Sequence, residues 1–232
     1  MFAVGERPSG SKDPFGLRRA AQGAVKIVAE SGWDLDVVHA VDAAAAAVAE
    51  YGEGDREELT AAVTAFVADR VRRWLTDVVG VSGDTADAVM AAGWSNLPGA
   101  VARAEALETV RSSSTFRSLA LAFKRVRNIT DGQPDAGVDP ALFEQAEETE
   151  LHQATEEFHR ALETLLPERR LDAAFAAMEP VAEILDRFFI EVLVMAEDER
   201  IRANRIALLK MLGREFLKLA DLSKLQVEGG DK

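Results

Sequence analysis

The sequence feature that most constrains the fold is the helical periodicity of residues 198–222, DERIRANRIALLKMLGREFLKLADL. Successive residues of a helix lie about 100° apart around its axis, so side chains three and four positions apart share a face. This spacing gathers the apolar residues on one broad face: Ile201, Leu208, Leu209, Leu212, Phe216 and Leu219. A narrow opposite stripe carries Arg200, Lys210, Arg214 and Lys218. The segment is therefore predicted to form a long helix with one packing face and one basic face.

The positive charge of this segment contrasts with the rest of the chain. The 232 residues contain 27 Lys and Arg against 40 Asp and Glu, a formal net charge of -13. Residues 200–218 nevertheless hold six basic residues and a single acidic one, Glu215, and residues 111–129 hold no acidic residue. Proteins that bind polyanions usually present a basic domain or face. Composition thus argues against attraction of a polyanion by the whole chain, but it allows local basic patches.

Helical periodicity continues through most of the chain, so an all-α fold of two helical parts is predicted. Ser11 or Asp13 can cap the first helix, whose first turn would contain Pro14. Further helices are predicted near residues 35–50, 56–79, 84–92, 99–111, 115–129, 140–166 and 171–190, with Pro180 kinking or splitting the last of these. The polar run at 112–114 is the predicted boundary between parts 1–112 and 113–226. Residues 227–232 are expected to be disordered.

Composition restricts the chemistry available to the chain. There is no cysteine, which excludes disulfides, thiolate metal sites and a cysteine nucleophile. Aromatic residues make up only 6%, so an aliphatic core is expected. No phosphate-binding glycine-rich loop, catalytic triad or metal-ligand spacing is found, and we expect no catalytic residue, metal or cofactor here. Without an apolar run of about 20 residues or a signal peptide, a cytoplasmic location is expected.

One charged residue lies on the predicted packing face of the last helix. Arg205 shares its helical angle with Ile201 and Leu212, so its guanidinium should be partly buried and should need a carboxylate partner. Asp186 and Glu191 in the preceding segment are the candidate partners. Between them begins the most hydrophobic stretch of the chain, residues 188–195, which is predicted to belong to the core of the second part.

Three segments carry a resemblance to a known family: SKDPFGLRRAA at 11–21, FKRVRNI at 123–129, and PVAEILDRFFIEVLVMAEDERIRANRIALLKMLGREFLKLADLSKLQ at 180–226. The chain resembles the C-terminal part of bacterial glycyl-tRNA synthetase β subunits over residues 5–226. The resemblance implies that 1–112 follow an HD-like domain lying upstream, and that 113–226 form a DALR-like helical anticodon-binding domain. It also implies two partners, glycine tRNA and a catalytic α subunit in an α2β2 assembly. ATP and Mg²⁺ would act at that α subunit, and neither membrane nor DNA is an expected partner.

The resemblance turns the basic segments into candidate tRNA contacts. Phosphate contacts would come from basic side chains, and a polar side chain would be needed to read an unstacked base. The candidates are Arg117, Lys124, Arg125, Asn128, Arg200, Lys210, Arg214 and Lys218, of which Asn128 is the candidate for base reading. A purely structural reading also fits the basic residues at 117–127, because the C-terminal end of a helix attracts cations.

Two other functions are compatible with the sequence. The chain could be an acidic helical module that binds protein and does not contact RNA. Its contacts would be Trp94, the alanine run at 43–47 or the acidic helix predicted at 140–166. Alternatively, residues 1–112 could be a degenerate remnant of an enzyme. A continuous positive strip joining 117–127 to 200–218 would favour RNA binding, whereas arginines paired with carboxylates would favour the protein module.

Overall fold

The computed structural model describes residues 1–48, 51 and 55–227, and this part of the chain is built from helices, with two isolated β-bridges and no named strand. The predicted all-α fold is confirmed. Two compact units, Met1–Glu105 and Ala106–Lys232, divide the chain within one helix, Leu97–Val110. The predicted boundary at residue 112 follows the same helix, and the domain assignment stays a prediction. Within the described residues, no helix is long and apolar enough to cross a membrane.

The N-terminal unit is a group of helices arranged around α3. Its helices are α1 (Leu17–Ser31), α2 (Val37–Val48), α3 (Arg56–Trp74), α4 (Gly83–Ala92) and α5 (Leu97–Val110). A single turn of π-helix, Leu75–Val79, continues α3. Both α1 and α2 pack against α3, and the buried side chains at these contacts are small and aliphatic. The predicted loop at 52–54 lies outside the described residues.

The first helix begins later than predicted. The N-cap residue is Gly16, and the carboxylate of Asp13, three residues earlier, accepts hydrogen bonds from the backbone N–H groups of Leu17 (2.8 Å) and Arg18 (3.0 Å). Pro14 therefore lies in the preceding turn and not in the helix. The Arg18 guanidinium returns to this turn and donates to the carbonyl oxygen of Gly10 at 2.7 Å. The DPF-x-LRR segment is thus a local structural unit that fixes the start of α1.

Replacing Asp13 by alanine is expected to destabilise the N-terminal unit by about 1 kcal/mol, because two backbone N–H groups lose their acceptor. The measurement is urea denaturation followed by tryptophan fluorescence, since Trp33, Trp74 and Trp94 all lie in this unit. Asp13→Asn keeps an acceptor oxygen and is the matched control, with a smaller loss expected. Equal transitions for Asp13→Ala and the wild type would contradict the capping role.

The C-terminal unit packs α6 (Ser114–Thr130) and α7 (Ala146–Leu165) against α9 (Glu179–Glu191) and α10 (Glu199–Leu217), with the short helix α8 (Leu171–Ala176) against α7. Most buried hydrophobic side chains of this unit are aliphatic, as expected, but the bulkiest are aromatic. Its largest fully buried side chains are phenylalanines: Phe116, Phe123, Phe175, Phe188 and Phe216. The ring of Phe216 stacks on Phe123 with centroids 5.2 Å apart and meets the edge of Phe158 at 5.4 Å, which fixes α10 between α6 and α7.

Two predicted helix boundaries are corrected, and the split predicted as one possibility at Pro180 is confirmed. The helix predicted from residue 140 begins at Ala146, because a separate turn of 3₁₀-helix, Pro140–Leu142, comes first. Pro180 splits the predicted 171–190 helix: α8 ends at Ala176, and Pro180 lies in the first turn of α9, where a missing N–H costs no hydrogen bond. The final helix ends at Leu217, five residues before the predicted end at 222.

The hydrophobic stretch at 188–195 is only half buried. The chain leaves α9 after Glu191 and becomes extended at Val192 (φ -102°, ψ 118°), so successive side chains point in opposite directions. Val192 and Val194 are buried, whereas Leu193 is 68% exposed. Met195 and Ile190 are exposed as well. The predicted core role thus holds for alternate residues only.

Candidate nucleic-acid interface

Helix α6 carries four of the candidate contacts on its exposed surface. Ser113 caps the helix by accepting a hydrogen bond from the backbone N–H of Phe116. Arg117, Lys124 and Asn128 are exposed. The guanidinium of Arg125 lies 4.2 Å from the ring centroid of Phe189, a cation–π contact that ties this arginine to α9.

Helix α10 carries the other four candidates, and two of them are paired within the protein. Asp198 caps the helix, and the exposed Arg200 follows in the first turn. The ammonium of Lys210 donates to the carbonyl oxygen of Gln133 at 2.6 Å and to the carboxylate of Asp135 at 2.7 Å. Lys218 donates to Glu215 at 2.6 Å. These two cations are therefore partly neutralised in the free protein.

The structure brings Lys210 and Arg214 together with a cation that was not a candidate, Arg127 from the end of α6. These side chains line a cavity of about 170 Å³ between α6, α10 and the loop that follows α6, which we call the basic pocket. Its full lining is Arg127, Thr130, Asp131, Gly132, Gln133, Asp135, Lys210, Gly213, Arg214 and Leu217. Arg127 lies inside the FKRVRNI motif, so the motif itself was the signal from which this residue could have been found.

Charge in the basic pocket is positive but not unopposed. Three cations face two carboxylates, Asp131 and Asp135. The hydrogen bond from Lys210, its positive charge and that of Arg214 hold the pKa of Asp135 below its ordinary value, so this carboxylate is ionised at neutral pH. The guanidinium of Arg127 also lies 3.6 Å from the buried carboxylate of Asp221. With Asp221 included, three carboxylates oppose the three cations, so a further anion must compete with carboxylates of the protein itself.

The two alternatives drawn from the sequence are a continuous positive strip and cations paired with carboxylates. The structure shows both kinds of cation in the C-terminal unit. Lys210, Lys218 and Arg127 each have a carboxylate neighbour. Among the described residues, no ion pair is found for Arg117, Lys124, Arg200 or Arg214, and all four side chains are exposed. The exposed, unpaired cations and the basic pocket belong to the same unit, which favours an anionic partner for that unit.

Arg205 is buried as predicted, but its partners are different. Its guanidinium donates to both carboxylate oxygens of Glu148 (3.0 and 3.1 Å) and to Glu144 (3.0 Å), both near the start of α7. Asp186 and Glu191, the predicted partners, are therefore replaced by residues 57 and 61 positions away in sequence. Glu148 lies in the first turn of α7, and its carboxylate also accepts hydrogen bonds from the backbone N–H groups of Glu144 and Gln145. These bonds hold the carboxylate at the start of α7, where the guanidinium of Arg205 meets it.

Two comparisons with known proteins match this arrangement of units. The model of the family described as glycyl-tRNA synthetase beta subunit matches residues 1–91, and that of the DALR anticodon binding domain matches residues 119–224. The glycine–tRNA ligase beta subunit of Acidobacterium capsulatum is 36% identical over 97% of this chain and 33% of its own length. Those of Geotalea daltonii and Anaeromyxobacter dehalogenans are each 38% identical, over 97% and 98% of this chain and 32% and 33% of their own lengths.

Over nearly its whole length the chain is similar to glycyl-tRNA synthetase β subunits. It spans about a third of the length of the curated relatives it matches. The resemblance predicted from the sequence motifs is therefore confirmed. The anticodon-binding match begins within α6 and ends at the last 3₁₀ turn, Leu222–Lys224, and it contains the whole basic pocket. Of the eight candidate contacts, only Arg117 lies outside the match.

One further residue, Asn204, holds the loop that lines the basic pocket. Asn204 is buried in α10 and forms two hydrogen bonds with the backbone of Asp139: the Asp139 N–H donates to its Oδ1 (2.7 Å), and its Nδ2 donates to the Asp139 carbonyl (3.0 Å). These bonds fix the end of the loop that contributes Gln133 and Asp135. Sequence reasoning missed Asn204, although a polar residue beside Arg205 on the buried face was a usable signal.

The N-terminal unit offers a surface of a different kind. Four of its arginines, Arg56, Arg70, Arg72 and Arg73, are paired with carboxylates, as in the two-pronged contact of Arg72 with Asp87 at 2.5 and 2.9 Å. A cavity of about 620 Å³ lies between α1, α2 and α3 and is lined almost wholly by aliphatic side chains. In the described part of the chain, no group of three or more potential metal ligands is found. The cavity lined by several cations, the basic pocket, belongs to the C-terminal unit.

Proposed function

We propose that this chain is a non-catalytic, tRNA-binding portion of a glycine–tRNA ligase, and that its C-terminal unit binds the anticodon arm of glycine tRNA. The observation that carries the proposal is the position of the basic pocket within the match to the DALR anticodon binding domain. A unit with exposed cations embedded in an acidic chain suits local phosphate contacts better than long-range attraction of RNA.

The proposed contacts have distinct roles. Arg127, Lys210 and Arg214 contact backbone phosphates at the basic pocket, and the exposed Arg117, Lys124 and Arg200, with Arg125 and Lys218, extend the basic surface. Phosphate contacts set affinity and orientation but carry no sequence information. Asn128, which is exposed near the end of α6, is the residue we propose to read a base edge. Binding would orient the acceptor end of the tRNA toward the α subunit, where ATP and Mg²⁺ would support the ligase chemistry in the cytoplasm.

The alternative of an acidic interaction module without RNA binding is not favoured. Its predicted contacts include the alanine run at 43–47 and the acidic helix, now α7. Glu148, one carboxylate of α7, is buried against Arg205 and is not part of an acidic surface. The anticodon-binding match covers α7 and the basic surface together, so a role that ignores RNA leaves that match unexplained.

The test is the affinity of the chain for glycine tRNA, compared with the same tRNA carrying replaced second and third anticodon bases, at two salt concentrations. We expect binding that weakens with salt and falls further when the anticodon is replaced. Equal binding of both tRNAs would overturn anticodon reading while leaving phosphate binding. Absence of binding at about 0.1 M salt, where phosphate contacts are only moderately screened, would overturn the proposal for this chain.

A further inference from the structure

The contact between Lys210 and Asp135 occupies the part of the basic pocket that an RNA phosphate would use. A carboxylate oxygen and a phosphate oxygen are both anionic acceptors, and each forms a charge-assisted hydrogen bond with an ammonium group. Asp135 accepts such a bond from Lys210 at 2.7 Å and also lies in the field of Arg214. An anion of the protein itself thus contacts one of the two cations proposed to bind RNA and lies in the field of the other.

The exposure of the two partners differs in the way an exchange requires. The side chain of Lys210 is 19% exposed, whereas that of Asp135 is 78% exposed. The ammonium is therefore held inside the pocket and the carboxylate is at its mouth. Because Lys210 also donates to the carbonyl of Gln133 at 2.6 Å, its position does not depend on Asp135 alone. The carboxylate can leave while the ammonium stays in place.

The loop that carries Asp135 is fixed at both ends. At its start, the backbone N–H of Gln133 donates to the carbonyl of Thr130 at 3.2 Å. At its end, the backbone of Asp139 is held on α10 by two hydrogen bonds with Asn204, one donated by Asp139 and one accepted by it. Residues 134–137 between these anchors are exposed and include Gly137. A movement confined to this short segment can remove Asp135 from the pocket without disturbing α6 or α10.

We infer that Asp135 is a built-in competitor for one phosphate of the bound RNA, and that tRNA binding replaces the Asp135 carboxylate on Lys210 with a phosphate oxygen. This inference rests on the proposed function of the pocket. The contact lowers the affinity of the free protein for polyanions in general, because every phosphate that enters must displace it. A ligand with several correctly placed phosphates overcomes this competition more easily than an isolated anion does, which favours the folded anticodon arm over other RNA.

The experiment compares the tRNA affinity of Asp135→Asn with that of Asp131→Asn in the full chain. Both changes remove one negative charge from the lining of the same pocket, but only Asp135 is the ion-pair partner of Lys210. We expect Asp135→Asn to bind glycine tRNA roughly threefold more tightly than wild type, the effect typical of an exposed ion pair, and Asp131→Asn to change affinity less.

A second background separates competition from a general charge effect. In Lys210→Met, the substitution Asp135→Asn should no longer raise affinity, because the group for which it competes is gone. If Asp135→Asn and Asp131→Asn have equal effects, or if the effect of Asp135→Asn persists in Lys210→Met, the competition is overturned and the proposed function stands. If the wild-type chain does not bind tRNA at all, the proposed function fails and the competition fails with it.

Discussion

Replacing Arg205 by methionine is expected to lower the free energy of unfolding of the C-terminal unit by about 3–5 kcal/mol, the range typical of a broken buried ion pair. The substitution leaves the fully buried carboxylate of Glu148 without the guanidinium that donates to both of its oxygens. It also removes the donor to the carbonyl oxygen of Leu193, which lies 3.1 Å from Nη1 in the segment between α9 and α10. The start of α7, the segment between α9 and α10, and α10 itself therefore lose the side chain that connects them.

The measurement is urea denaturation followed by far-UV circular dichroism, because all three tryptophans report on the other unit. Glu144→Gln is the matched control: it changes a carboxylate that contacts the same guanidinium but is 55% exposed. We expect the control to cost less than about 1 kcal/mol, as exposed ion pairs usually do. Equal effects of the two substitutions would show that burial of Glu148 does not set the energy of this network.

The double variant Arg205→Met/Glu148→Gln separates two effects of the single substitution: the unpaired buried charge of Glu148 and the changed packing at position 205. Burial raises the pKa of Glu148, but the hydrogen bonds from Arg205 and from the N–H groups of Glu144 and Gln145 outweigh it and lower the pKa overall. A lowered folded-state pKa stabilises the fold above the unfolded value of about 4.3, and this stabilisation is lost as the pH falls through the folded value. The double variant should recover part of the stability and should lack this acid-dependent loss.

The partner of Arg205 shows where sequence reasoning reaches its limit. That Arg205 would be buried followed from its helical angle alone, because the angle is a local property of residues 198–222. Which carboxylate meets it depends on how α7 packs beside α10, and Glu148 is 57 residues away. Residues 140–166 contain many glutamates, so the sequence does not single out Glu148 as the partner of Arg205. Its capping position follows only from the observed start of α7 at Ala146.

The cations of the basic pocket could be predicted from the sequence, but their position in one cavity could not. The stripe on α10 gave Lys210 and Arg214 directly, and the motif at 123–129 contained Arg127. Their meeting in one cavity depends on the packing of α6 against α10. Residues 130–139 lie between two predicted helices, yet three of them, Gln133, Asp135 and Asp139, are bound to α10 through Lys210 and Asn204. Hydrogen bonds between a loop and a distant helix leave no periodic trace in sequence.

The phenylalanine core illustrates a limit of average composition. Aromatic residues are scarce over the whole chain, but five of the largest fully buried side chains in the C-terminal unit are phenylalanines. The ring stack of Phe216 on Phe123 holds α10 against α6 at the level of the basic surface. A chain average predicts correctly that most buried side chains are aliphatic, but it cannot show that the bulkiest buried side chains of one unit are aromatic.

Removing both cations that α10 contributes to the basic pocket, in Lys210→Ala/Arg214→Ala, is expected to weaken binding of glycine tRNA at least about tenfold near 0.1 M salt. Each phosphate contact contributes about 0.7–0.9 to the slope of log affinity against log salt, so the slope should fall by roughly 1.5. The ratio of affinities for native and anticodon-replaced tRNA should stay unchanged, because phosphate contacts do not read sequence.

Arg170→Ala/Arg187→Ala is the matched control for this loss. It removes two positive charges from the same unit, and each is an exposed arginine paired with a glutamate, Glu168 and Glu150. The control should leave the salt slope close to the wild-type value, since these cations lie outside the basic pocket. Equal losses in the two variants would mean that the unit attracts RNA through its total charge. A loss confined to Lys210→Ala/Arg214→Ala would place the phosphate contacts at the basic pocket, where α6 and α10 bring three cations to one cavity.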